Sequence, residues 1–222
     1  FGRGDSIENV QKNLHILASA LGFDPEKYVL TRQTHSDIVR VVTDADCAGF
    51  CHRDYPECDA LVTNTAGVAL LVFTADCTPI LLHDPVTGAV GAAHAGWRGT
   101  HQAIGAKTVQ AMVDNFGCDP KNILAGIAPS IGRCCFEVDD PVMNPMRAIK
   151  GIALETACTD KGNGKYMLDL KAVNKMILEK AGLKDENITV SDICTCCQND
   201  MFHSHRATNG QRGSLAGIIQ LI

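Results

Sequence analysis

Three short segments of this chain each set a metal-capable side chain at a strand end or turn. They are Gln33-Thr34-His35-Ser36, Thr74-Ala75-Asp76-Cys77-Thr78-Pro79 and Ala93-His94-Ala95-Gly96-Trp97-Arg98-Gly99. Two imidazoles and one thiolate suit a catalytic zinc, which keeps three protein ligands and leaves its fourth position to water. Ligands spread widely along the chain favour that role over a structural finger, whose ligands come in close pairs. An open position lowers the pKa of bound water to about 7, giving hydroxide at neutral pH. Each residue also has a plainer reading. His35 fits a surface side chain in a polar turn, Cys77 a small packing residue between apolar strands, and His94 a satisfied core histidine. Against the last stand Gly96 and Gly99, which bracket Trp97-Arg98 just before a helix, where backbone N–H groups can receive an anion.

Two further groups have loosely metal-like spacing: Cys47, Cys51, His52 and Cys58, and Cys194, Cys196, Cys197, His203 and His205. Neither shows the doubled C-x₂-C pattern of a structural zinc site. A second metal, copper for instance, would suit either. Cys134-Cys135 reads as packing beside the loop Pro129-Ser130-Ile131-Gly132.

These residues need a scaffold. Ile7, Val10, Leu14, Leu17 and Leu21 alternate at three and four, which predicts a helix over Ser6–Leu21 with a capping box on Asp5 and Glu8 and Gly22 at its end. Strands are expected at Tyr28–Arg32, Ile38–Val42, Ala60–Thr63, Val68–Phe73, Thr78–His83, Ala89–His94, Ile123–Ile127, Ile188–Ile193 and Leu215–Gln220. Helices are expected at Thr100–Phe116, Asp139–Cys158 and Leu170–Ala181. Many strands follow one another directly, so mixed α/β layers are expected rather than a regular βαβ winding.

Composition narrows the classes. A formal charge of −5 is too acidic to track a phosphate backbone, so nucleic acid is not an expected partner. No stretch reaches the ~20 apolar residues of a membrane helix. The opening Phe1-Gly2-Arg3-Gly4-Asp5 lacks the apolar core of a signal peptide, and a start without methionine is consistent with a missing leading segment. The 11 cysteines are an odd count in a chain of 222 residues, which fits reduced, cytoplasmic thiols better than a disulfide framework.

The strings ADCTPILLHDPVTGAVGAAHAGWRGT (75–100), QTHSD (33–37), GIAPSIGRCCFEV (126–138), LDLKAVN (168–174) and FHSHR (202–206) closely resemble the laccase-domain, or polyphenol oxidase, family. The resemblance spans the whole chain with its blocks in order. It implies a layered α-β-β-α sandwich of mixed α/β, α+β character, and a single domain over 1–222. It places the family's zinc triad on His35, Cys77 and His94. The activities it implies are phosphorolysis of adenosine, inosine, guanosine and methylthioadenosine and hydrolytic deamination of adenosine. Copper-dependent phenol oxidation and a role in keeping peptidoglycan precursors correct belong to the same family. Purine nucleoside and phosphate are thus the expected small-molecule partners, for a monomer or small homo-oligomer.

Within that reading Cys77 and His94 are catalytic, and Asp76 is either a proton donor or an orienting side chain, since neighbours on a strand face opposite ways. Arg98 and Arg206 are candidates for holding phosphate, because a guanidinium forks onto its oxygens; ordinary salt bridges are the alternative. Trp97 either stacks on a base or packs in the core, and Ser130 lies in a candidate substrate loop. Two departures from the family pattern stand out. Leu14 follows Asn13 where an arginine is common, and His205 replaces a common aromatic.

Three rivals remain: a metal-free amidase with Cys77 as nucleophile and His94 or His35 as base, a copper oxidase, and a non-catalytic partner of cell-division or envelope enzymes. Eight scattered histidines are few for a multicopper centre.

Overall fold

The computed structural model describes residues 5–47 and 56–222. In chain order its elements are α1 (Ile7–Leu21), β1 (Tyr28–Leu30), β2 (Val39–Val41), β3 (Ala60–Thr63), β4 (Ala69–Thr74), β5 (Thr78–Asp84) and β6 (Ala89–Ala95). Then come α2 (Trp97–His101), α3 (Ile104–Phe116), β7 (Leu124–Ile127), β8 (Glu137–Asp139), α4 (Asp140–Arg147) and α5 (Leu154–Ala157). The chain finishes with β9 (Cys158–Gly162), β10 (Lys165–Leu168), α6 (Leu170–Lys180), β11 (Ile188–Val190) and β12 (Leu215–Gln220).

Strand alternation builds the layers. A six-stranded sheet runs β11-β7-β5-β6-β3-β2, and a three-stranded sheet runs β1-β4-β12. On the large sheet, Val62, Ile80, Leu82, Ala93 and Ala95 point one way, into a core with Ile104, Val109 and Met112 of α3 and Leu178 of α6. Leu61, Leu81, Val90 and Ala92 point the other way and meet Val29, Leu70, Val72 and Ile219 of the small sheet. The outer face of that sheet, with Tyr28, Leu30, Ala69 and Leu71, is covered by Leu14, Leu17 and Ala18 of α1. The order is helix, sheet, sheet, helix, a mixed α/β sandwich whose central strands β3, β4 and β6 are buried on both faces. Among the described residues no helix is long and apolar enough to cross a membrane.

Several boundaries differ from the sequence expectation. The N-cap of α1 is Ser6, whose side chain accepts from the Asn9 N–H, while Asp5 accepts from Ser6 and Asn9 outside the helix. The expected helix over 100–116 is two helices, because Ala103 sits at φ 59 and a left-handed residue breaks the ladder. The expected helix over 139–158 is two helices, α4 to Arg147 and the short α5 at Leu154–Ala157, parted by a turn through Gly151 at φ 72. Cys158 begins a strand instead. A third sheet, β8-β10-β9, was not expected. Its hairpin turns through Asn163 and Gly164, both at positive φ, the dipeptide favoured in tight hairpin turns.

Packing sets the first expected result. Leu82 is fully buried between β5 and α3, so Leu82→Ala should cost about 2–5 kcal/mol in urea unfolding. Ile16, 58% exposed on α1, should change the same midpoint by no more than about 0.5 kcal/mol when made Ala.

Candidate metal centre

Asp59 organises the site. Fully buried just before β3, its carboxylate accepts the backbone N–H groups of Thr34, His35 and Ser36 at 3.0, 3.1 and 2.8 Å, and the Ser36 hydroxyl at 2.8 Å. Three converging N–H groups hold the β1–β2 loop with His35 at φ 61, a left-handed conformation that a free histidine seldom keeps. The same carboxylate lies 2.7 Å from His94 Nδ1. That bond leaves His94 Nε2 to face the site, as a carboxylate does behind many metal-ligating histidines.

The ladder brings the parts into one row. β6 pairs with β3 and with β5, so His94 lies beside Asp59, donating its backbone N–H to the Asp59 carbonyl at 2.8 Å, and opposite Pro79 on β5. Cys77, in the bend just before β5, therefore falls opposite Gly96. Its sulfur stands 3.9 Å from His35 Nε2, and the two imidazole rings meet edge to face at 4.9 Å. Donor atoms of His35, Cys77 and His94 all lie within 4.8 Å of one another. A tetrahedral zinc with S at about 2.3 Å and N at about 2.0 Å sets such donors about 3.3–3.5 Å apart, so the donor set fits that ion with a small closing of the three. Gly96 completes the enclosure: a Cβ there would stand 2.8 Å from His35 Cδ2 and 3.1 Å from the Cys77 sulfur.

The charges of these side chains follow from their contacts. Burial opposes ionisation of Cys77, yet the two imidazoles overcome it and lower its pKa to about 6. Burial likewise opposes charge on His94, but Asp59 and then Cys77 raise it to about 9. For Asp59, burial is outweighed by hydrogen bonds from His94, Thr34 and Ser36, which hold it at about 2. Its folded pKa lies below its unfolded one, so its contribution is present above about pH 4 and lost as pH falls through 2, amounting to about 2 kcal/mol. Asp59→Asn should remove that acid limb from urea midpoints followed across the range and weaken metal binding about 10–100-fold, read with a chromophoric chelator.

The other residues singled out by sequence fall in different places. Asp76 is in a bend rather than on a strand, at φ 82, and both carboxylate oxygens are engaged, by the Thr195 hydroxyl at 2.7 Å and the Arg206 N–H at 2.6 Å. Arg206 spends its guanidinium on the carbonyls of Cys135 and Glu137 at 3.0 and 3.1 Å. Ser130 is fully buried and receives a hydrogen bond from Thr78 at 3.2 Å. Trp97 packs half-buried against an apolar cluster of Met143, Met146, Leu170 and Val173, with the exposed Arg98 guanidinium 4.2 Å above its ring. Asp59 and Thr195 were not anticipated, because their partners on other strands and loops are far away in sequence. A cleft of about 480 Å³ is lined by Arg133, Lys171, Lys175 and Cys194 among others, and by none of the three donors. Cys51 and His52 lie outside the described residues.

Comparison with known proteins follows the same lines. Residues 1–222 match the family described as multi-copper polyphenol oxidoreductase laccase. The chain is 37% identical over 219 residues to a Bacillus subtilis (strain 168) protein named purine nucleoside phosphorylase YlmD, covering 97% of this chain and 78% of that one. It is 36% identical over 210 residues to a protein named adenosine deaminase RL5 from an unknown prokaryotic organism, covering 91% and 78%. The crystal structure of the Bacillus licheniformis hypothetical protein YfiH superposes with a TM-score of 0.96 at 36% identity, over 100% of this chain and 84% of that one. The blocks 33–37, 75–100 and 126–138, and the fold that carries them, make this chain a member of the multi-copper polyphenol oxidoreductase laccase family.

Proposed function

We propose that the chain is a zinc-dependent enzyme of purine nucleosides, cleaving them with phosphate and deaminating adenosine. The convergence of His35, Cys77 and His94 within 4.8 Å, backed by a buried Asp59, is the observation that carries it. The names of its relatives, purine nucleoside phosphorylase and adenosine deaminase, support the substrate class. A zinc held by those three residues would supply Lewis acidity and an activated water.

The chain's own residues do the rest. Asp59 fixes the His94 tautomer and sets the His35 loop, so the donors are placed before any ion arrives. Asp76, with both oxygens engaged, anchors residues 195–206 beside Cys77 rather than moving a proton. Arg98 is a cation available to receive phosphate: it is exposed, lies against Trp97, and forms no ion pair among the described residues. Only two histidines, His35 and His94, enter a cluster of three or more metal-capable groups among the described residues, which is a poor match to a multicopper oxidase.

Incubation with adenosine and phosphate should yield adenine with ribose-1-phosphate, and inosine by deamination. Absence of all these products from protein with zinc bound would defeat the reading. A second reading, Cys77 as a metal-free nucleophile, draws on its lowered pKa of about 6 and the imidazole 3.9 Å away. Iodoacetamide separates the two: a metal-held thiolate resists alkylation until chelator is added, whereas a free one reacts at once.

A further inference from the structure

Sequence spacing alone groups Cys194, Cys196 and Cys197 with His203 and His205 and sets Cys134-Cys135 apart as packing. The fold regroups them. The tight turn at Gly132 brings Cys134 and Cys135 against Cys197, each sulfur 3.4 Å from it, and Cys194 joins them, so that all four sulfurs lie within 4.8 Å of one another. Cys196, His203 and His205 are not in this group.

We propose that Cys134, Cys135, Cys194 and Cys197 hold a second metal ion, a zinc enclosed by four thiolates, which ties the β7–β8 loop to the β11–β12 loop. Four sulfurs at about 2.3 Å from a tetrahedral zinc stand about 3.8 Å apart, within the range found here. A disulfide fits less well. Cys197 stands equally close to Cys134 and Cys135, at 3.4 Å from each, whereas a disulfide would draw it to one of them at about 2 Å. The Gly132 N–H donates to the Cys194 sulfur at 3.1 Å, the charge-assisted bond that a ligating thiolate accepts. Gly132 is also what lets the sulfurs meet, since a Cβ there would lie 3.1 Å from Cys194 Cβ and 3.2 Å from the Cys134 sulfur. With four protein ligands the ion has no open position, so its role is structural.

Its place gives that role a consequence. Thr195, next to Cys194, holds one oxygen of Asp76, and Arg206 holds the other while its guanidinium grips the carbonyl of Cys135. The two loops tied by the four thiolates are therefore the ones that fix the bend carrying Cys77. Loss of the second ion should loosen that bend without removing any donor of the first site.

The test is run on the full chain carrying Cys77→Ala, purified without oxygen, so that the first site no longer contributes. Elemental analysis should find one zinc equivalent, and X-ray absorption should show sulfur neighbours only. Adding Cys194→Ser and Cys197→Ser should abolish that zinc; should the double change fail to fold, Cys134→Ser at an exposed position should lower the sulfur number while leaving the fold. The proposal is overturned by a Cys77→Ala protein without zinc, by nitrogen neighbours, by iron in its place, by disulfides among the four, or by zinc that survives the serine changes. None of these readouts depends on enzymatic activity, so failure of the purine assignment leaves them interpretable.

Discussion

Replacing Cys77 with Ala should empty the first centre of its ion and lower kcat/KM for adenosine by about 10³-fold or more while the fold survives. Cys77 supplies the only sulfur among the three donors, and with a pKa of about 6 it is anionic at neutral pH. Two imidazoles alone bind zinc far more weakly than two imidazoles with a thiolate. The fold is spared because the side chain is small and sits in a bend, while His94 keeps its 2.7 Å contact with Asp59. Elemental analysis, circular dichroism and steady-state rates read the three parts. Chelator-treated wild type should match the variant and recover on adding zinc; if it keeps full activity without metal, the zinc assignment fails.

A single methyl group should do nearly as much. Gly96→Ala leaves the backbone unstrained at φ −71, so any effect must come from space. The added carbon would sit 2.8 Å from His35 Cδ2 and 3.1 Å from the Cys77 sulfur, closer than carbon packs against either. His35 has little room to yield, because Asp59 holds its loop by three backbone N–H groups. Zinc affinity should fall about 100-fold, with kcat/KM falling in parallel and the urea midpoint nearly unchanged. A normal affinity in a correctly folded variant would mean that His35 is not a ligand.

Much of this architecture was legible beforehand, and the reasons differ by element. β3 matched residue for residue and β5 and β6 to within one, because apolar strands bounded by turn residues carry a strong signal. The sheet β8-β10-β9 was missed because Glu137–Asp139 is only three residues long and Cys158–Gly162 is polar and largely exposed, so neither carries a readable alternation. Exposed Ile7, Ile16 and Leu21 show the converse on α1, where an apolar stripe extends beyond what the sheet covers. The three donors could be named because blocks of sequence resemble a known family. Asp59 could not be, since its role exists only once β3 and β6 pair. The four sulfurs were hidden for the same reason: residues 134–135 and 194–197 meet only through the fold.

The ladder of β5 and β6 also acts as a ruler. Its far end, at the turn of residues 85–88, lies five residue pairs and about 17 Å beyond the row that holds His94. A deletion of one residue in that turn, if absorbed by sliding β6, would swing His94 through the sheet to the helix side, trading places with Ala93 or Ala95. The pairing of Ala60 with Ala93 resists that slide from the other edge. Turn length, far from any reacting group, therefore decides which face of the sheet receives the imidazole.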